Sequence, residues 1–329
     1  MTSQPLTTSV FAPISIGNLS VGFDSLGLAL APIDKTLVGD IVHIKLSDDG
    51  KNHLSCTGSY QHILPIIREE NIVWQCMLEY NKLYLTSDKI AKNISMTLEK
   101  NVPICSGLGS SACSVVASLH ALNTFYDNYF SENDLLKLMG QLEAKISGSL
   151  HYDNVAPCYY GGLQLMLDNA CGTDDHKVCQ SLPTFNECYW VVSYPDINIS
   201  TKMAREILPE NYSRDDMILA AKRFASFVDA SHRQDREQAF SVLKDIIAEP
   251  YRTPLLKGFE ETKQSLLENG SLAMGISGSG PTLFAACKDL ETAEKAKQIF
   301  DALYCDETRQ CFTHICKADN QGSRTLNLT

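Results

Sequence analysis

Apolar and polar residues alternate from residue 94 to 100, with Ile94, Met96 and Leu98 on one side. That two-residue period predicts a half-buried strand. After a turn, Val115, Val116, Leu119, Leu122 and Phe125 recur at helical spacing, so residues 111–125 read as a helix. The best-defined helix covers residues 131–146. Leu135, Leu138, Met139, Leu142 and Ile146 make its buried stripe, and Ser131 with Asp134 has the form of a capping box. Residues 71–85 carry Val73, Met77, Tyr80 and Tyr84 on related helix faces, and residues 40–46 read as a strand. Residues 51–63 are polar and irregular, and residues 1–9 are expected to fray. Residues 10–31 are apolar but broken by Gly17, Gly22 and Gly27. This suits a strand entering a loop that carries backbone close to a ligand.

The second half alternates strands and helices. Residues 159–167 read as a strand after a turn-rich link. The polar stretch 168–180 divides the chain into units 1–168 and 169–329. Then come a strand at 189–194 and a short helix at 200–208, capped by Ser200 or Thr201. Helices follow at 214–231, 237–248 and 255–269. A second glycine-rich turn leads to a strand at 282–287, a helix at 290–303 and a last strand at 311–316. The pattern is α+β, without internal repeats or low-complexity tracts.

The chemistry gathers where these patterns break. Residues 103–114 form a glycine-rich turn between strand and helix, with Gly107 and Gly109 to turn the backbone and Ser110 and Ser111 placed to cap the helix. A helix start suits an anion such as phosphate, and the spacing alone leaves open a plain tight turn. No lysine follows Gly109, so the loop is not a Walker loop. Ala112 stands at the third glycine position of a dinucleotide fingerprint. A second helix, where a parallel strand would be needed, speaks against that fold. Glu143 borders the inner face of its helix, where either a hard cation near phosphate or simple snorkelling satisfies it. Asp24 either caps a turn or reads a substrate together with Asn18. His151, Asp153 and Asn154 crowd a loop where structural and chemical roles both fit.

The 329 residues are 44% hydrophobic and carry a net charge of −11, which argues against a nucleic-acid partner. Twelve cysteines include no C-x-x-C pair, and Cys305, Cys311 and Cys316 lack zinc spacing. They read as reduced thiols of a cytosolic protein. The first basic residue is Lys35, so no signal-peptide n-region is visible. Residues 101–126 lack charge, but Pro103, two glycines and five serines argue against a membrane span, and the expected location is cytoplasmic.

Three glycine-rich segments, at residues 18–24, 103–114 and 275–281, resemble in order and spacing the three motifs of the GHMP small-molecule kinases. The match extends over nearly the whole chain and is nearest to the members that phosphorylate homoserine. It rests on Ser-Val-Gly-Phe-Asp (20–24), Ser-Gly-Leu-Gly-Ser-Ser-Ala (106–112), His-Tyr-Asp-Asn-Val-Ala-Pro (151–157) and Ser-Thr-Lys-Met-Ala-Arg-Glu-Ile-Leu-Pro (200–209). Glu-Pro-Tyr-Arg (249–252), Leu-Leu-Lys-Gly-Phe (255–259) and Gly-Ile-Ser-Gly-Ser-Gly-Pro (275–281) also fit. The resemblance implies a domain like ribosomal protein S5 domain 2 followed by a ferredoxin-like domain. It also implies conversion of ATP and L-homoserine to ADP and O-phospho-L-homoserine, on the route to threonine. Relatives are often dimers, so a homodimer is implied as well.

On this resemblance Pro103, Ile104, Cys105, Ser106, Gly107, Leu108, Gly109, Ser110, Ser111, Ala112 and Cys113 wrap the ATP phosphates, and Asn71 lies near the adenine. Ser111 and Glu143 match the Mg²⁺ positions. Asn18, Asp24, His151, Arg205 and Arg252 match the amino-acid pocket, with Thr201 nearby. A zwitterion needs cationic donors for its carboxylate, which the arginines supply, and an acceptor for its ammonium, which Asp24 supplies. Some relatives place an Asp base where Asn154 stands. Here Asn154 is left to orient the hydroxyl or the phosphate, and the hydroxyl attacks directly while its proton passes to phosphate or water. The first motif usually reads Ala-Ser-Ser-Ala-Asn, whereas residues 14–18 read Ile-Ser-Ile-Gly-Asn and lose a hydroxyl at Ile16. A kinase of another alcohol, such as mevalonate or a sugar, and a non-catalytic nucleotide-binding regulator are the competing classes.

Overall fold

Two sheets organise the chain, and each takes strands from both ends of it. The computed structural model describes residues 7–85, 91–168, 177–305 and 310–327. The first sheet runs Arg324–Thr325, Thr7–Pro13, Gly39–Leu46, Ile94–Glu99, His53–Thr57. Its neighbours are antiparallel except the last pair, which is parallel. Helix Ser110–Phe125 packs on this sheet, flanked by helices Ile72–Leu85 and Glu132–Ser147. That helix is apolar or small on every side, and it is accordingly buried almost throughout.

The second sheet runs Ala273–Ile276, Leu283–Cys287, Tyr189–Tyr194, Phe312–Ala318, Leu26–Pro32, Leu163–Met166, Cys179–Leu182. Ser15–Gly17 is added beside Leu26–Pro32. Helices Phe259–Glu268 and Leu290–Leu303 cover one end of it around Phe259, Leu266 and Phe300. A division at residue 168 is crossed twice: Leu26–Pro32 pairs with Phe312–Ala318, and Thr7–Pro13 pairs with Arg324–Thr325. Residues 169–176 of the polar stretch at that division lie outside the described residues.

Caps follow the local sequence. Ser131 Oγ accepts from the Asp134 amide, and Ser200, not Thr201, accepts from the Met203 amide ahead of helix Thr201–Glu206. Elsewhere the structure corrects the pattern. Thr7 to Ser9 are not frayed, because each pairs with Gly39–Leu46. His53–Thr57 is an edge strand with Leu54 and Cys56 packed on the core and His53, Ser55 and Thr57 exposed; its alternation is too short to stand out from the polar stretch around it. The helix expected at 237–248 is Arg236–Ser241 only, because the Asp245 carboxylate takes the amides of Ile247, Ala248 and Glu249. The strand expected from 159 begins at Leu163. Val155–Tyr160 is a short helix stopped by Gly161 and Gly162, at φ +78° and +62°. Among the described residues no helix is long and apolar enough to cross a membrane.

Candidate active site

The glycine-rich loop after Ile94–Glu99 is clasped at its base. The Asp40 carboxylate is fully buried. It accepts from the amides of Asn101 and Val102 at 3.0 and 3.3 Å, where the loop begins. Where the loop ends, buried Lys100 Nζ donates to Asp40 Oδ2 at 2.5 Å, to the Ser110 carbonyl at 2.8 Å and to Ser114 Oγ at 3.1 Å. Ser110 Oγ closes the base by donating to the Val102 carbonyl at 3.0 Å. Ser110 and Ser111 therefore do not cap the helix. Gly109, at φ +68°, holds the N-cap position and no side chain caps it. The first amides of the helix are left for an anion.

The third glycine-rich segment locks onto the other two. Ser277 Oγ donates to the Gly107 carbonyl at 2.7 Å, and the Gly278 amide donates to the Gly17 carbonyl at 3.0 Å. A Cβ on Gly107 would lie 2.4 Å from the Ser277 carbonyl oxygen, so only glycine permits this approach. The Gly278 carbonyl accepts from Asn18 Nδ2 at 3.1 Å and from Arg252 Nη1 at 2.8 Å. Asn18 Oδ1 in turn accepts from the Asp24 amide at 2.9 Å, shaping the turn that presents the Asp24 side chain.

These segments enclose a cavity of about 380 Å³. At one end Arg205 grips Asp24 through Nη1 to Oδ2 at 3.1 Å and Nη2 to Oδ1 at 2.9 Å. Arg252 is buried beside them, held by the Ala204 carbonyl and by Gly278. The Phe23 ring lies 5.5 and 5.6 Å from the two guanidinium carbons, a cation–π contact with both. His151 Nε2 faces Arg205 Nη2 at 3.2 Å and Ser149 Oγ. With two donors aimed at it, that nitrogen accepts. Burial lowers the His151 pKa against the pull of Asp24, which keeps the ring neutral. Thr201 completes this wall.

In the middle stands Asn154, whose Oδ1 accepts from Ser15 Oγ at 2.9 Å and whose Nδ2 donates to Asp153 Oδ2 at 3.3 Å. Asn154 does not stand alone, because Asp153 brings a buried carboxyl to its side. Burial, aided by the charges of Asp24 and Glu143, raises the Asp153 pKa to about 7. Ile16, the departure in the first motif, points into the core, so no hydroxyl is missing from the cavity. The hydroxyl of buried Ser15 stands behind Asn154 and donates to it.

At the loop end Ser111 Oγ donates to Glu143 Oε1 at 2.9 Å. A hydroxyl and a carboxylate side by side at an open helix start are the hard oxygen donors that Mg²⁺ takes alongside phosphate. Among the described residues no three His, Cys, Asp or Glu side chains cluster as a metal site. The pair therefore suits a cation shared with a phosphate ligand rather than one held by protein alone. Ile104, Cys105, Ser106, Gly107, Gly109, Ser110 and Ser111 line the cavity. The side chains of Pro103, Leu108, Ala112 and Cys113 do not, and the last three are fully buried in the core. Asn71 lies in the cavity wall, but its Oδ1 is spent on the Val73 amide at the start of helix Ile72–Leu85. Pattern reading missed Asp40, Lys100, Ser15 and Phe23, and it gave Asp153 no role. Of these only Lys100 carried a local signal, a lysine at the end of a strand whose face is buried.

With this geometry in place, the chain matches the GHMP kinases N terminal domain over residues 71–162 and the GHMP kinases C terminal domain over residues 222–304. It is similar to the crystal structure of homoserine kinase from Cytophaga hutchinsonii, with 33% identity, 99% of each chain covered and a TM-score of 0.86. A provisionally assigned homoserine kinase of Listeria monocytogenes is 20% identical, covering 98% of this chain and all of that one, with a TM-score of 0.68. Streptococcus pneumoniae phosphomevalonate kinase is 14% identical over 95% of this chain and 98% of its own, with a TM-score of 0.67. The last two likenesses bear on fold alone. The two family models and the 33%-identical structure agree with the expected α+β architecture with an N-terminal and a C-terminal domain.

Proposed function

The chain belongs to the GHMP family of small-molecule kinases, and from that membership we propose that it transfers the terminal phosphoryl group of ATP to the hydroxyl of L-homoserine, giving O-phospho-L-homoserine on the route to threonine. The observation that carries this reading is the pairing of functions in one cavity. Asp24 and two arginines at one end offer both signs of charge to a zwitterion, and an uncapped helix start with Ser111 and Glu143 lies at the other. The 33% identity to a homoserine kinase over 99% of the chain supports the same substrate.

In this reading the backbone amides of the loop and helix start take the phosphates, held in shape by the Lys100–Asp40 clasp. Ser111 and Glu143 would hold Mg²⁺, which when bound neutralises charge on the transferring phosphate. Arg205 and Arg252 take the acceptor carboxylate and Asp24 its ammonium. Asn154, fixed between Ser15 and Asp153, orients the hydroxyl, which attacks the terminal phosphorus directly and passes its proton to phosphate or water.

ADP release with Mg-ATP and L-homoserine, mevalonate, galactose or no acceptor tests the assignment. ADP is expected with homoserine alone, and Arg205→Ala and Arg252→Ala are expected to raise the acceptor KM about a hundredfold while leaving the KM for ATP near its wild-type value. Turnover of another alcohol overturns the acceptor pocket. ATP binding without turnover of any acceptor favours a regulator.

A further inference from the structure

The two groups proposed for the opposite charges of the acceptor are holding each other. Arg205 has both terminal nitrogens on the two oxygens of Asp24, with the side chains 35% and 33% exposed at the cavity wall. The surroundings of the pair are unbalanced. Asp153 and Glu143 lie close enough for their charges to act on this cluster, and His151 Nδ1 is 3.7 Å from Asp24 Oδ2. Arg205 Nε is buried without an acceptor, so this guanidinium has one donor still unmet.

A ligand carboxylate that draws Arg205 away strips Asp24 of its bidentate partner and leaves it facing Glu143, with only the more distant Arg252 and the His151 ring beside it. A ligand ammonium that takes Asp24 leaves Arg205 unpaired beside Arg252. Either exchange swaps one ion pair for another and strands a charge, which is unfavourable where water is partly excluded, by less than in a fully buried site. A ligand carrying both charges replaces one pair with two and also offers Arg205 Nε its missing acceptor.

We propose that the Asp24–Arg205 pair is a selectivity lock, opened only by a ligand bearing both an ammonium and a carboxylate. The site then admits an amino acid and refuses the hydroxy acid or amino alcohol of the same length. This deepens the acceptor reading above and rests on it. The selection works by penalty against singly charged ligands as much as by attraction to the zwitterion.

The test is kcat/KM, at saturating Mg-ATP, for L-homoserine, 4-hydroxybutyrate and 3-aminopropan-1-ol in the wild type, Asp24→Asn and Asp24→Ala. The wild type is expected to prefer homoserine over both analogues by at least about a hundredfold. Both variants lose homoserine efficiency. Because Arg205 is released, they gain absolute efficiency with 4-hydroxybutyrate by roughly three- to tenfold. An unaltered KM for ATP certifies folding in each. Efficiency with 4-hydroxybutyrate that stays level or falls in both variants overturns the lock while leaving homoserine as substrate. A wild type that ignores homoserine but turns over another acceptor overturns the substrate reading, and the lock with it.

Discussion

Burial holds the Asp153 carboxyl protonated up to about pH 7, with Asp24 and Glu143 pushing the same way. In the unfolded chain the same group gives up its proton near 3.8, so the native state binds the extra proton between those values. Its contribution to stability is therefore complete below about pH 4 and is lost as pH rises to about 7. Asp153→Asn removes the titration. Relative to wild type the variant is expected to gain on the order of 3 kcal/mol between pH 4 and pH 8, read from urea unfolding at the two pH values. An equal gap at both pH values shows a carboxyl with an ordinary pKa. The same variant separates two routes for the acceptor proton. Direct attack keeps the neutral-range limb of the kcat–pH profile. Loss of that limb with a fall of about a hundredfold or more assigns the proton to Asp153.

Among the elements, the loop clasp has the sharpest consequence. Lys100→Met leaves the Asp40 carboxylate buried without its cation and frees the Ser110 carbonyl. The expected loss is about 3–5 kcal/mol of stability in thermal or urea unfolding. The KM for ATP is expected to rise about tenfold or more while the acceptor KM stays, because the clasp shapes only the nucleotide end. Parallel rises in both constants exclude a role confined to the loop. Elements of this kind divide by how much sequence can reveal. Ile94–Glu99 and Glu132–Ser147 bury one face against a single layer, so their periods survive in the chain and were legible. His53–Thr57 alternates over only five residues inside a polar stretch, with Leu54 and Cys56 turned to the core, and so short a period does not stand out. The three glycine-rich segments were legible as motifs. The Ser277–Gly107 and Asn18–Gly278 bonds join residues 170 and 260 positions apart, and no local pattern encodes such contacts. The same holds for Asp153, whose raised pKa comes from burial and from Asp24 and Glu143 rather than from its neighbours in sequence.

On the scale of the whole molecule, the far ends of the chain are stitched together by polar groups as well as strands. His120 on the central helix pairs through Nδ1 with Ser323 Oγ at 2.7 Å, and burial lowers its pKa to about 4. The folded state therefore prefers the neutral ring. The stability it contributes is present above about pH 6.5 and is lost as pH falls through 6.5 towards 4, opposite in sign to Asp153. His120→Asn is expected to weaken acid destabilisation in that window when Tm is followed from pH 7 to pH 4. A slope matching that of the wild type assigns the acid sensitivity to other groups.

The pairing of Thr7–Pro13 with Arg324–Thr325, and of Leu26–Pro32 with Phe312–Ala318, also sets an order in time. A ribosome delivers the strand at residues 7–13 more than three hundred residues before its edge partner at 324–325, and the second sheet waits for residues 312–318 to emerge. Until then the nascent chain carries two incomplete sheets with open edges, the kind of surface that holdase chaperones shield. Removing residues 324–325 therefore takes an edge strand from the first sheet and exposes Val10 and Phe11 along that edge, rather than trimming a dispensable tail.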